Sequence, residues 1–107
     1  MKIISKNKEI FSNARFVDGF GLMFKRKLKK EEAVILRLAR ESRIYSSIHM
    51  IFVFYSIYVV WLDKNKVVVD IKKAYPFQPF LMSKKGSMYV IESCYKPELI
   101  IGDNLEF

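Results

Sequence analysis

The longest apolar run of the chain, Ser46–Asp63 (SSIHMIFVFYSIYVVWLD), carries no formally charged residue from Ile48 to Leu62. Read with period 2, Ile48, Met50, Phe52, Phe54, Ser56, Tyr58, Val60 and Leu62 share one face. His49, Ile51, Val53, Tyr55, Ile57, Val59 and Trp61 share the other. Both faces are apolar, which is how a strand covered on both sides reads. A single strand of that length would reach about 50 Å, too long for a domain of 107 residues. The run must therefore bend. Ser56 has the weakest strand propensity, so the corner is placed at Tyr55–Ser56, between a strand over Ser47–Phe54 and another over Ile57–Leu62.

The turn formers of Asp63–Lys66 (DKNK) follow, and then VVVDIK. This pattern predicts a hairpin over about Ile57–Ile71. Further strand-like runs occur at Lys2–Ile4 with Glu9–Phe11, at Ser87–Glu92 and at Asn104–Phe107. Ala33–Arg40 (AVILRLAR) tolerates a helix as well as a strand. The alternation of Val34, Leu36 and Leu38 with Arg37 and Ala39 favours a strand. Short helical turns are expected near Ala14–Phe20, ending at Gly21, and from Pro97, since proline is well tolerated at a first helical position. The expected fold is mainly β: a compact antiparallel β-barrel or sandwich of about seven or eight short strands with one or two short helices. Residues 1–107 read as a single domain with no repeat or linker.

Composition supports this picture. Hydrophobic residues make up 51% of the chain and aromatics 15%, while alanine is scarce. That mixture suits strands and a packed core, and it argues against a helical bundle or global disorder. The apolar run is too short, too β-branched and too aromatic for a spanning helix, so no membrane span is expected. MKIISKNKEIF lacks the continuous apolar stretch of a secretory signal. Cys94 is the single cysteine, so no internal disulfide forms. A cytoplasmic, soluble protein is expected.

Charge is unevenly spread. Of the net +8, residues 1–40 contribute +7, from eleven Lys/Arg against four Asp/Glu. The densest part is KRKLKK, and Lys25, Arg26, Lys27, Lys29 and Lys30 form a candidate phosphate- or nucleic-acid-binding segment. The plainer reading is a solvated loop, because KKEE follows and cancels part of the charge.

The ordered set GLMFKRKL (Gly21–Leu28), SIHMIFVFYSIYVVWLD (Ser47–Asp63), KVVVDIK, YPFQPF (Tyr75–Phe80), MYVIES (Met88–Ser93) and IIGDNLEF (Ile100–Phe107) resembles the family catalogued as domain of unknown function 192. The resemblance covers about residues 12–107. It implies a compact, mostly antiparallel β fold with one or two short helices and no established activity. Relatives of that kind usually carry Pro and then Asp at the bend, where this chain reads Ser56-Ile57-Tyr58. They also tend to be polar where it reads Ile51-Phe52-Val53. A polar site in that region would be weakened here.

No catalytic constellation can be assembled. One His and one Cys cannot make a closed zinc site. There is no glycine-rich phosphate loop and no nucleophile elbow. Asp63 and Asp70 read as turn and surface residues. Cys94 reads as a small buried hydrophobe, since nothing in the sequence brings His49 to it as a base. His49, Tyr75, Phe77 and Phe80 are the candidates for a small-ligand site, a polar group at the mouth of an apolar pocket. The plainer roles are a core or rim histidine and a proline-stiffened lid. The expected function is a non-enzymatic module binding a small molecule or protein, with no cofactor, as a monomer or homodimer. The alternative is a nucleic-acid or phosphate binder acting through residues 25–30.

Overall fold

A computed structural model describes residues 1–17, 27–42, 55–76 and 81–107. Eight strands run through them: β1 (Ile3–Ser5), β2 (Lys8–Phe11), β3 (Asn13–Phe16), β4 (Glu32–Ser42), β5 (Ile57–Leu62), β6 (Val68–Ala74), β7 (Ser87–Ser93) and β8 (Leu105–Glu106). They form a five-stranded sheet, β3-β4-β7-β5-β6, and a three-stranded sheet, β2-β1-β8. The strand expected over Ser47–Phe54 lies outside the described residues.

The hairpins form where the turn chemistry places them. β1 and β2 join through Lys6 and Asn7, both at positive φ, as a two-residue hairpin with matching twist requires. Asp63 organises the β5–β6 turn. Its carboxylate Oδ1 accepts the N–H groups of Asn65 (2.8 Å) and Val67 (3.1 Å), and its C=O accepts Lys66 N–H at 3.0 Å. Lys66 then takes φ +62°, completing a turn with a bulge.

Three expectations are corrected. First, the stretch predicted as a helical turn from Ala14 begins as strand β3. Asn13 and Arg15 are exposed while Ala14 between them is buried, the period of a strand. Its partner is β4, and the pairing is parallel rather than antiparallel. The segment between them is long enough for a crossover, and a crossover permits parallel pairing. Second, Pro97 starts no helix, and no helix occurs among the described residues. Third, the described strands form two sheets rather than a closed barrel. Between the sheets, the backbone meets at local contacts such as Ala14 N–H to Met1 C=O (2.8 Å) and the Val67–Asn104 bridge. Strands of two to four residues at those corners are too short to carry a continuous ladder.

The five-stranded sheet is covered on both faces. On one face Ile35, Val60, Leu62 and Ile91 pack beneath the three-stranded sheet, against its Ile3, Phe11 and Leu105. On the other face Val34, Ile57, Val59, Trp61, Ala74, Val90 and Cys94 form a second apolar cluster with Leu28. This two-sided cover explains why Ile57–Leu62 reads as apolar on both faces.

Loops are fixed by buried carboxylates. Asp103 closes the turn after Ile100: its Oδ2 accepts Ile100 N–H at 3.0 Å, and Lys6 lies 3.3 Å from Oδ1. Gly102 in this turn has φ +100°, a conformation that glycine adopts at little cost. The Ile100 hydrogen bond, aided by Lys6, holds the Asp103 carboxyl below its ordinary value of 3.8. Asp103 therefore contributes stability above about pH 4, and that contribution is lost as pH falls through the lower folded value. The stability difference between the native chain and Asp103→Asn, followed by urea denaturation, is expected to be largest near neutrality and to shrink toward pH 2. A pH-independent difference would refute this.

Candidate functional site

A cleft of about 180 Å³ opens between β2 and the segment that follows β7. Lys8 enters it from β2, Lys30 from the basic run, and Tyr95, Lys96, Pro97 and Glu98 from the chain after β7. Each element is positioned by packing beneath the site. Phe11 anchors β2 in the core between the sheets. Leu28 anchors the basic run in the opposite core, and its N–H donates to Cys94 Sγ at 3.2 Å. Cys94 thus ties the 27–30 segment to the end of β7, and Tyr95 follows at the surface, 45% exposed.

Glu32 matters to the charge of this site. Its carboxylate accepts Lys29 N–H at 2.8 Å and is buried at the start of β4. Glu31, the other acidic residue of KKEE, is exposed. Two acidic side chains line the cleft, and each has a lysine partner. Glu9 lies 3.5 Å from Lys2, and Glu98 pairs with Lys8. The Lys8 bond and charge, with Lys30 adding to them, hold the Glu98 carboxyl below its ordinary value of 4.5. Lys27 Nζ stands 5.6 Å from the centre of the Tyr95 ring, within reach of a cation–π attraction.

The sequence candidates are distributed as follows. Lys27 and Lys30 meet at Tyr95 and the cleft, while the Lys29 backbone holds Glu32. Lys25 and Arg26 lie outside the described residues. Of the proposed small-ligand group, only Tyr75 is described. It is 56% exposed at the end of β6, with Lys73 Nζ 5.3 Å from its ring centre. His49, Phe77 and Phe80 lie outside the described residues. Asp63 is the turn residue expected. Asp70 is not at the surface: it is buried, and its carboxylate accepts the N–H groups of Ile71 and Lys84, both at 2.9 Å. Burial pushes the Cys94 thiol up, away from the thiolate a nucleophile needs. No group of three or more His, Cys, Asp or Glu side chains able to hold a metal occurs among the described residues. No helix among them is long and apolar enough to cross a membrane.

Sequence reasoning missed Lys8, Tyr95 and Lys96. The available signal was Tyr-Lys-Pro directly after a strand, an aromatic and a cation where the chain leaves the sheet. Nothing local connects it to Lys30, 65 residues earlier.

The fold and cleft together define a two-sheet, sandwich-like β protein with a lysine-lined surface site. The family profile of domain of unknown function 192, described as uncharacterized ACR, matches residues 13–96, and the chain belongs to that family. A UPF0127 protein of Pyrococcus furiosus is 35% identical over 97% of this chain and 94% of its own length. Two solved structures share the fold. One is a protein of unknown function from Novosphingobium aromaticivorans (TM-score 0.74, 18% identity, 99% of this chain and 82% of that one). The other is described as a putative transcription regulator from Sinorhizobium meliloti (TM-score 0.77, 14% identity, 98% of this chain and 89% of that one). At these identities the likeness is one of fold.

Proposed function

We propose that this protein is a non-enzymatic binding module whose cleft between β2 and residues 95–98 takes a phosphate-bearing ligand. The observation that carries the reading is convergence: Lys8, Lys30 and Lys96, from three separate parts of the chain, line one concave site beside Tyr95. Three ammonium groups around a cleft make a favourable field for a multiply charged anion, while each alone would be an ordinary solvated side chain. Glu98 occupies Lys8 as an internal anion, and an incoming phosphate takes its place. The surface charge follows the same sense, at net +8 for the chain. A chain with one cysteine, and that one buried, suits a reducing compartment such as the cytoplasm.

Titration with inorganic pyrophosphate, followed by calorimetry, tests the reading. Binding is expected to weaken steeply with salt. The triple replacement of Lys8, Lys30 and Lys96 by alanine is expected to lower affinity by about tenfold to a hundredfold, at up to about 1 kcal/mol per exposed contact. Absence of pyrophosphate binding at low salt, or binding untouched by the triple replacement, would overturn it.

A further inference from the structure

At the end of the five-stranded sheet where the cleft opens, further aromatic and basic side chains stand on β5 and β6. Tyr58 on β5 stands opposite Ser93 on β7 and opposite Lys73 on β6. Tyr58 lies two residues from Val60, Lys73 two from Ile71 and Ser93 two from Ile91, so all three positions share one face, two residues beyond the part covered by the three-stranded sheet; Ser93 is buried there, Tyr58 half-buried and Lys73 exposed. Tyr95 follows Ser93 by two residues and Tyr75 follows Lys73 by two. The residues between, Cys94 and Ala74, are buried in the core of the opposite face. β7 and β6 are both antiparallel to β5, so Tyr95 and Tyr75 leave the sheet at the same end, on either side of the start of β5.

Three tyrosines thus stand at one end of the sheet, Tyr58 on β5 and the other two just beyond the ends of β6 and β7. Lysines are interleaved with them. Lys27 stands over Tyr95, and Lys73 Nζ lies 5.8 Å from the Tyr58 ring centre and 5.3 Å from that of Tyr75. Lys8, Lys30 and Lys96 flank the Tyr95 end.

Resting on the reading of the cleft as an anion site, we infer that this surface binds single-stranded nucleic acid, with phosphates at Lys8, Lys30, Lys96 and Lys73 and bases on the rings of Tyr95, Tyr58 and Tyr75. The chemistry selects this class. Alternating cations and aromatic rings match a strand whose phosphates and base faces alternate. A duplex keeps its base faces stacked inside and offers the rings nothing. Neighbouring strands are about 4.8 Å apart, so the path from β7 across β5 to β6 is about 10 Å. With the cleft, that accommodates about four nucleotides, the small end of the site sizes of single β-domains.

Fluorescence anisotropy with a labelled eight-nucleotide oligo(dT) and oligo(rU) tests this, beside pyrophosphate, a duplex of equal length and polyglutamate. The single strands are expected to bind at least tenfold tighter than pyrophosphate or duplex, with a log–log salt slope near −2 to −3, at about −0.7 per phosphate contacted. Tyr58→Ala with Tyr75→Ala is expected to cost about tenfold or more in oligonucleotide affinity and to leave pyrophosphate binding unchanged. Tyr75→Phe, which keeps the ring, should retain affinity. Tyr75→Ala alone, at an exposed position, supplies a variant that folds if the double one does not, and it should lose at least about threefold. Pyrophosphate binding with no gain for the oligonucleotide, or tyrosine variants that bind it normally, would overturn this inference and leave the cleft reading standing. Loss of pyrophosphate binding as well would remove both. Polyglutamate binding as tight as oligo(dT) would show a surface that reads charge alone, and would equally overturn it.

Discussion

Replacing Trp61 by alanine is expected to destabilise the protein by about 3–5 kcal/mol, the range for removing a large buried aromatic side chain. Trp61 is fully buried on β5, in one cluster with Val34, Ile57, Val59 and Val90. These neighbours are branched side chains held on rigid strands. They cannot collapse into the space an indole leaves, so the cavity cost adds to the lost transfer energy. At about 4 °C per kcal/mol for a chain of this size, the melting temperature should fall by about 12–20 °C. A fall of less than about 4 °C in calorimetry would show that the second core tolerates the loss and that Trp61 is not its centre.

Asp70→Ala is expected to cost about 2–4 kcal/mol, although it removes a small, usually solvent-facing residue type from an edge strand. The Asp70 carboxylate is buried on β6 directly across from Trp61. It satisfies the N–H groups of Ile71 and Lys84, and Lys72 Nζ lies 3.7 Å away while donating to the Met82 C=O. Alanine leaves two donors without their acceptor and removes a countercharge from beside Lys72. An amide in place of the carboxylate keeps one acceptor oxygen but turns an NH₂ group toward the other donor, so Asp70→Asn should fall between. Urea denaturation of the three proteins reads the order directly. Native-like stability in Asp70→Ala would mean that the 81–84 segment is held some other way. The two sites couple, since Lys72 Nζ also sits 6.0 Å from the Trp61 ring centre. The double variant should therefore be less destabilised than the two single losses combined.

Much of this was open to reading in the one-dimensional pattern. The β5–β6 hairpin was legible because its signals are local: a two-sided apolar run in Ile57–Leu62 closed by Asp63. The runs at Lys2–Ile4, Glu9–Phe11, Ser87–Glu92 and Ala33–Arg40 were read as strands from equally local signals. Asn13–Phe16 was not. Four residues with one buried alanine carry too little pattern to separate strand from helical turn. Asp70 was misread because an aspartate in a strand is usually a surface residue, and only its tertiary surroundings, Lys84 above all, make it a core one. Of the candidate cleft, Lys30 was legible in the sequence, as was Lys27 beside Tyr95. Lys8, Tyr95 and Lys96 were not.

The sequence by itself determined the mainly β class of fold, the β5–β6 hairpin, the uneven distribution of positive charge and the family. All of these depend on residue type and on spacings of a few residues, where side-chain period and turn chemistry act. The tertiary structure alone decided that β3 pairs parallel to β4, that Glu32 and Asp70 turn inward, and that Lys8, Lys30 and Lys96 line one cleft with Tyr95. Those outcomes rest on contacts between residues tens of positions apart. Such contacts come into being only when the two cores close and bring the sheet end, the basic run and β2 to the same place.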